Sequence, residues 1–462
     1  MSALRSVFGQ IHFLLSKVTA LGAQHSISRR EFVAGASGLV LAGSVANAAT
    51  ANAANGGEAL AIDGGKKAVT TKCAVQPRWG EPEQKQLEAM LRQDSLFYWQ
   101  GPQTRLLLER FREVCPLKFA FNCSSGTAAL HIAVNAAGIG PGDEVITAPV
   151  TDIGTVIGVL YQQAVPVFAD LGEGTHNLDV ADVERRITDK TKAIIAVHLA
   201  GNPCDLDALR ALADKHKLIL IEDCAQAWGA KYRGRPIGSV GHLACFSLQN
   251  TKHITCGDGG IVGSSDERFG PLLQPCGDKG TDRAGKRTFP LFATNYRMSE
   301  PQAAIAAVQL TRLEDIAAKR NHLGNLLTEK IAGVPGIVPH EVHRDDRPVY
   351  WFYYFRIRPE AFRCNRSTFV KALAAEGAAV QGGYIKVPLY GEEVFQKHAF
   401  FAGRWPIKEM GLTTMDFTKH RCPNAESMLS DGIRVPIFEY MTEEYMLQVA
   451  DAIRKVAAHY AV

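Results

Sequence analysis

The chain has 462 residues, 46% of them hydrophobic and 21% charged, a composition that buries a large core across about two domains and excludes a disordered or fibrous polymer. Most of its formal net charge of +4 sits at the start, where Arg5, Lys17, Arg29 and Arg30 oppose only Glu31; +1 is left after Ala48, which excludes a nucleic-acid-binding surface. The ten cysteines all follow Ala48 without a C-x-x-C pair or a metal-like Cys/His spacing, so no metal is expected. Cys224 and Cys245 lie in apolar runs and read as small buried thiols, with one or two disulfides left open by export.

The first stretch with a recognisable order is "SISRREFVAGASGLVLAGSVANA". It pairs Arg29 and Arg30 with an apolar run from Phe32 to Ala46 and an A-x-A cleavage site at Ala46-Asn47-Ala48. That order predicts a twin-arginine export signal over 1–48 and a periplasmic protein. The alternative is a cytoplasmic protein with an Ala-rich leader or a start codon placed too far upstream. The run is too short and too rich in Gly and Ala to span a membrane. Residues 49–79 read as a linker and N-terminal arm, low in complexity up to about Gly57. "RWGEPEQKQLEAMLRQD" then places Leu87, Met90 and Leu91 at helical spacing, so this helix should pack on the main body. "FYWQGPQTRLLLERFREV" holds an aromatic cluster, Phe97 to Trp99, and a second amphipathic helix.

From Phe119 strands and helices alternate. "KFAFNCSSGTAALHIAVNAAGIG" reads as strand, small-residue turn and helix, the helix opening near Gly126. Its free amides suit a phosphate, Gly126 allows close approach, and an ordinary capped helix is the equal alternative on these residues alone. "PGDEVITAPV", "VPVFADL", "TKAIIAVHLAG" and "LILIEDC" are further strands, separated by "TDIGTVIGVLYQQA", "NLDVADVERRIT" and "DLDALRALADKHK". Apolar strands broken by helical segments argue for βαβ units and a buried, mostly parallel sheet. His198 at a strand end reads as a satisfied core residue.

The stretch from Ile221 to Gly260 organises the rest. Asp223 closes one strand, Ser247 closes another, and Lys252 follows in "CFSLQNTKHITCGDGG". A carboxylate, a hydroxyl and an amine at the carboxyl ends of neighbouring strands are what pyridoxal phosphate requires: one for the ring nitrogen, one for the phosphate and one for a Schiff base. After it, "TNYRMSEPQAAIAAVQLTRLEDIAAKRNHLGNLLTEKIAG" is a long helical pattern. "VYWFYYFRIRP", "RSTFVKALAAEG" and "GIRVPIFEYMTEEYMLQVADAIRKVAAHY" then make a smaller α/β unit, whose aromatic run from Tyr350 to Phe355 reads as alternating core and interface rather than as a sugar-stacking platform.

Through "SGTAALH", "EDCAQ", "FSLQNTK" and "TNYR" the chain resembles the DegT/DnrJ/StrS family of sugar aminotransferases from about Gly80 to the C-terminus. The resemblance implies a fold-type I transferase: a large pyridoxal-phosphate-binding domain over 80–320, with a mostly parallel sheet of the seven-stranded type, and a small C-terminal α/β domain over 321–462. It implies Lys252 as the Schiff-base lysine, Asp223 on the pyridine nitrogen, Gln226 on the phenolic oxygen, and Gly126, Thr127 and Ser247 on the phosphate. Asn295 matches an asparagine that reaches the phosphate of a neighbouring subunit, so a homodimer with shared active sites is implied. Asp152 departs from the pattern, because many members place there an aromatic residue that stacks on the cofactor ring.

The expected activity is transfer of an amino group from glutamate or glutamine to a keto-sugar, possibly nucleotide-linked, or a keto-cyclitol, with "FSLQNTK" leaning toward inososes. Lysine at 252 argues against the dehydratase relatives, which carry histidine there. Elimination chemistry, or a catalytically silent protein on the same fold, is the alternative. Export makes the first test: Arg29→Lys/Arg30→Lys should move the protein from the exported to the cytoplasmic fraction, read by fractionation and immunoblot.

Overall fold

Apolar, β-branched runs bounded by turns form strands that must be covered on both faces. The computed structural model describes residues 58–285 and 288–462; the predicted signal, and the linker up to residue 57, lie outside the described residues. β1 (Phe119–Cys123), β2 (Glu144–Thr147), β3 (Val165–Phe168), β4 (Thr191–Val197) and β5 (Ile219–Asp223) are followed by a small separate hairpin of β6 (Lys231–Tyr232) and β7 (Arg235–Pro236). β8 (Leu243–Ser247) and β9 (Gly260–Ser264) then complete a seven-stranded sheet ordered β1-β9-β8-β5-β4-β2-β3. Pairing is parallel from β8 through β5, β4 and β2 to β3, whereas β9 runs antiparallel between β8 and β1.

Because β1 and β8 both oppose β9, β1 runs with the parallel set. The carboxyl ends of β1, β2, β4, β5 and β8 therefore share one edge, where ligands of open α/β sheets collect. The glycine-rich segment after Lys252 reads from sequence as a tight backbone, and it folds as a buried strand. Its glycines are required by close approach: a Cβ on Gly260 would stand 2.3 Å from the Ser125 carbonyl oxygen, and one on Gly263 2.5 Å from Leu117.

The predicted helices form at Glu81–Met90 and Pro102–Val114. The first buries Met90 and, against expectation, Glu83, while Leu91 is 71% exposed. Glu83 binds Arg312 and accepts from Gln309 Nε2 at 2.8 Å, so a buried carboxylate paired with a partly exposed arginine takes the place that hydrophobic spacing gives to leucine. Glu300, fully buried, caps the Pro102–Val114 helix by accepting from the amides of Gln103 and Thr104 at 2.8 and 2.9 Å.

A second, antiparallel sheet has β10 (Ile337–Val338), β11 (Phe352–Ile357), β12 (Gln381–Gly382) and β13 (Gly432–Pro436) in the order β10-β11-β13-β12. Within β11, Phe352 and Tyr354 join the core of the large sheet, while Tyr353, Phe355 and Ile357 join a second core with the Arg366–Ala375 and Glu443–Tyr460 helices. The Leu313–Ile331 helix bridges the cores, Leu313 and Ala317 in the first, Leu323, Leu327 and Ile331 in the second.

Strict alternation would put Tyr350 with Phe352 and Trp351 with Tyr353. The two are exchanged: Tyr350 lies in the second core and Trp351 against the first. Tyr350 has φ of 38°, a left-handed backbone that breaks the alternation just before the strand begins. Its ring lies on Gly324, where a Cβ would come within 2.2 Å of it, and its hydroxyl donates to Asn325 Oδ1 at 2.8 Å. Gly324→Ala should therefore destabilise the protein by about 1–3 kcal/mol in urea titration, although alanine is the better helix former.

Candidate functional site

At the shared edge β1 ends in Ser124-Ser125 and the Gly126–Ala136 helix begins. Ser125 caps it, its hydroxyl accepting from the Ala128 amide at 3.0 Å. The amides of Gly126 and Thr127 precede the first intrahelical bonds and lie at the positive end of the helix dipole. A Cβ on Gly126 would sit 2.6 Å from Ser247 Cβ, so the helix start and the end of β8 touch at a point only glycine allows. Thr127 lies beside the β2 loop: a Cβ on Gly154 would meet its Oγ1 at 2.6 Å and Asp152 Oδ1 at 2.9 Å.

Asp223, 4% exposed, is held by the Thr155 hydroxyl at 2.9 Å and the Ala225 amide at 3.1 Å, and Thr155 pairs in turn with Thr151 at 2.8 Å. Burial pushes its carboxyl above the usual range, against the pull of Thr155, Ala225 and the Lys252 charge. Gln226 accepts from the Ala200 amide at 2.8 Å and donates to the Tyr384 hydroxyl at 3.3 Å.

Lys252 is 8% exposed, with Nζ 3.8 Å from the centroid of the Trp351 ring. Burial pushes its amine down to about 8, although the charges of Asp223 and Asp152 favour the cation. The backbone around it is pinned by Arg78, whose guanidinium donates to the carbonyls of Asn250, Lys252 and His253. At the loop after β2 a cavity of about 630 Å3 opens between Thr151, Asp152, Ile385, Leu389, Glu392 and Lys397.

The structure thus brings Gly126, Thr127, Asp223, Gln226, Ser247 and Lys252 to one edge. Asn295 stands apart: it is exposed, and its Oδ1 accepts from the Arg297 amide at 3.4 Å, while Arg297 is paired with Asp278 at 3.0 Å. Asp152 turns toward the pocket, its Oδ1 accepting from the Gly154 amide at 2.8 Å. Trp351, Tyr384, Thr155 and Arg78 are the residues that sequence reasoning missed. Only the "RW" start of the first helical stretch and the aromatic density of "VYWFYYF" marked two of them.

His198, Glu222 and Cys224 lie close enough to resemble a metal site. Their donors are occupied within the chain. Glu222 accepts from His198 Nε2 at 3.1 Å and from the amides of Gly238, Val240 and Gly241, while His198 Nδ1 accepts from the Cys204 amide at 3.0 Å. Both ring nitrogens of His198 are thus satisfied inside the core, as the sequence suggested.

Pyridoxal phosphate fits these residues. The Gly126 and Thr127 amides with Ser247 would cradle its phosphate, the buried Asp223 carboxyl would suit its ring nitrogen, and Lys252 is a buried amine with a depressed pKa. A model of the DegT/DnrJ/EryC1/StrS aminotransferase family matches residues 77–454. The GDP-perosamine synthase of Caulobacter vibrioides is 39% identical over 284 residues, 60% of this chain and 76% of that protein. A putative L-glutamine:3-amino-2,3-dideoxy-scyllo-inosose aminotransferase of Micromonospora echinospora is 33% identical, covering 80% of this chain and 90% of its own. The solved aminotransferase of Psychrobacter cryohalolentis superposes with a TM-score of 0.75 at 30% identity, over 84% of this chain and all of that one.

Two outcomes follow from this geometry. Gly126→Ala should weaken cofactor binding about tenfold or more, measured by equilibrium dialysis, because the added methyl displaces Ser247. Only the neutral amine bonds to an aldehyde. The rate at which cofactor-free protein takes up pyridoxal phosphate should therefore rise with pH up to about 8 and level off above it, whereas an unburied lysine would keep gaining toward 10.5.

Proposed function

The chain belongs to the DegT/DnrJ/EryC1/StrS aminotransferase family and is a pyridoxal-phosphate-dependent transaminase, and from that premise we propose that it transfers the amino group of glutamate or glutamine to a keto-sugar or keto-cyclitol. The observation that carries the reading is the buried Lys252 amine, facing Asp223 across the edge where the sheet's carboxyl ends meet. Pyridoxal phosphate, when bound, supplies an electron sink for breaking bonds at the carbon that bears nitrogen.

The chain's residues do the rest. Lys252 would hold the cofactor as its amine partner and, when free, would carry a proton from the donor's α-carbon to the cofactor; an amine pushed down to about 8 suits both taking and giving that proton. Asp223, kept from water, would keep a proton on the cofactor's ring nitrogen and so act on rate more than on binding. The Gly126 and Thr127 amides and Ser247 would hold the phosphate, and Gln226, held by Ala200 and Tyr384, would meet the ring oxygen.

Support for the acceptor class comes from the relatives, whose names belong to nucleotide-sugar and inosose chemistry. Export through the predicted leader would favour an acceptor free of nucleotide. We also propose a homodimer in which Asn295 reaches the partner's phosphate site, supported by its exposed position on the loop before the Glu300–Leu310 helix.

Glutamate or glutamine added to loaded enzyme should convert the cofactor to its amino form with release of the matching 2-oxo acid, and a keto-sugar or inosose should reverse the conversion with a mass change read by mass spectrometry. Loss of the first half sinks the donor assignment; failure of every ketone sinks the acceptor class. Asp223→Asn should lower kcat by about 10²-fold or more with little change in cofactor content. Lys252→Ala and Asn295→Ala, each inactive alone, should regain about a quarter of wild-type activity when refolded together, because mixed dimers carry one complete site.

A further inference from the structure

We propose that Trp351 is a positioning residue for the reactive amine: its indole gives Lys252 a fixed resting face as a cation. This rests on Lys252 being the lysine that bonds the cofactor.

The ring is held from several directions. Its Nε1 donates to the Thr251 carbonyl at 2.7 Å, one residue before Lys252, and its backbone amide donates to the Ala200 carbonyl at 2.9 Å. Ala200 also binds Gln226, and Tyr384, the other partner of Gln226, meets the indole edge-on at 6.0 Å between centroids. The indole is thus tied both to the lysine's own loop and to a residue of the cofactor pocket. With Nζ 3.8 Å from its centroid, it offers the negative face of its π-system to the amine.

Other charged groups reach the amine from every packed element. Asp223 comes from the end of β5 and Asp152 from the loop after β2, and both favour the cation. Arg78 engages the backbone behind the lysine, where His253, held neutral by burial, binds the Val349 carbonyl. The carboxylates attract the ammonium without fixing its direction. The indole face does fix it, because cation–π attraction falls away once the cation leaves the ring.

Direction matters for the proton Lys252 carries. Once displaced, the neutral amine would use its lone pair to take the α-proton, the electron pair of that C–H bond passing into the electron sink that the bound cofactor supplies. The ammonium would then deliver that proton to the cofactor carbon that ends up bearing the amino group, so the proton moves from one carbon to the other and none is lost to solvent. A resting place on Trp351 keeps the ammonium loaded and aimed between the two transfers.

The test begins in cofactor-free protein. Lysine labelled with 13C at Cε is titrated by NMR, the Lys252 signal being assigned by its loss in Lys252→Arg. In Trp351→Leu the Lys252 pKa should fall by about one pH unit, a tenfold change in its protonation equilibrium, and Trp351→Phe, which keeps a weaker face and loses the N–H anchor, should fall between. In loaded enzyme the limb of the kcat profile governed by Lys252 should shift in the same direction.

An unmoved titration in variants that melt like wild type overturns the proposal, as does a Trp351→Leu effect confined to melting temperature and KM. Should Trp351→Leu fail to fold, the shift in Trp351→Phe decides. Borohydride reduction of loaded enzyme followed by peptide mass mapping checks the parent reading separately: label on another lysine would remove the premise, whereas label on Lys252 with no titration shift would remove this inference alone.

Discussion

A lysine amine kept from water is costly as a cation, and the structure is arranged around that cost. Burial lowers the Lys252 pKa enough for the neutral form to be populated near neutrality, and Asp223 and Asp152 stop the shift from going further. The same burial acts in the opposite sense on Asp223, where it favours the uncharged carboxyl; the Thr155 hydroxyl, the Ala225 amide and the lysine itself favour the carboxylate. The two groups support each other's charged forms across a pocket in which either one alone would tend to neutralise. The Thr151–Thr155–Asp223 chain of hydrogen bonds extends this coupling from the β2 loop to the end of β5.

Such a pocket can be dry only if the backbone around it comes very close, and glycine decides where. Gly126 lets the helix start touch Ser247, and Gly260 lets β9 pass the Ser125 carbonyl. The antiparallel β9 is therefore not an interruption of the parallel sheet. By lying between β1 and β8 it sets the distance at which the phosphate cradle of one faces the hydroxyl and lysine of the other.

The parallel strands, Asp223, Gln226, Ser247 and Lys252 were legible because they depend on local pattern: apolar runs, strand ends, and short motifs in which a few residues meet one group. What the sequence did not reveal depends on partners far along the chain. Arg78 acts on the carbonyls of Asn250, Lys252 and His253, and Glu83 is buried because Arg312 and Gln309 meet it. Strand β9 carries glycines where a strand normally carries bulk, since its neighbours rather than its own propensity demand them. Trp351 was hidden by period-2 reasoning, which fails at Tyr350 because one left-handed residue moves the next side chain to the other face.

Asp152 brings these threads together. A carboxylate there cannot give the cofactor ring an apolar cover, and in the structure it instead caps its own turn at Gly154 and adds negative charge near Lys252. The aromatic side chains nearest the lysine and Gln226 are Trp351 and Tyr384, both supplied by the part of the chain that forms the second sheet. An aromatic wall built from the β2 loop would belong to the same rigid sheet as the lysine. One built from Trp351 and Tyr384 depends on how the second sheet seats on the first, through the Leu313–Ile331 helix and the contact of Gly324 with Tyr350. In this chain the chemical environment of the amine and the packing of the two sheets are consequently one structural problem: a change that loosens the seat of Tyr350 also changes what the lysine faces.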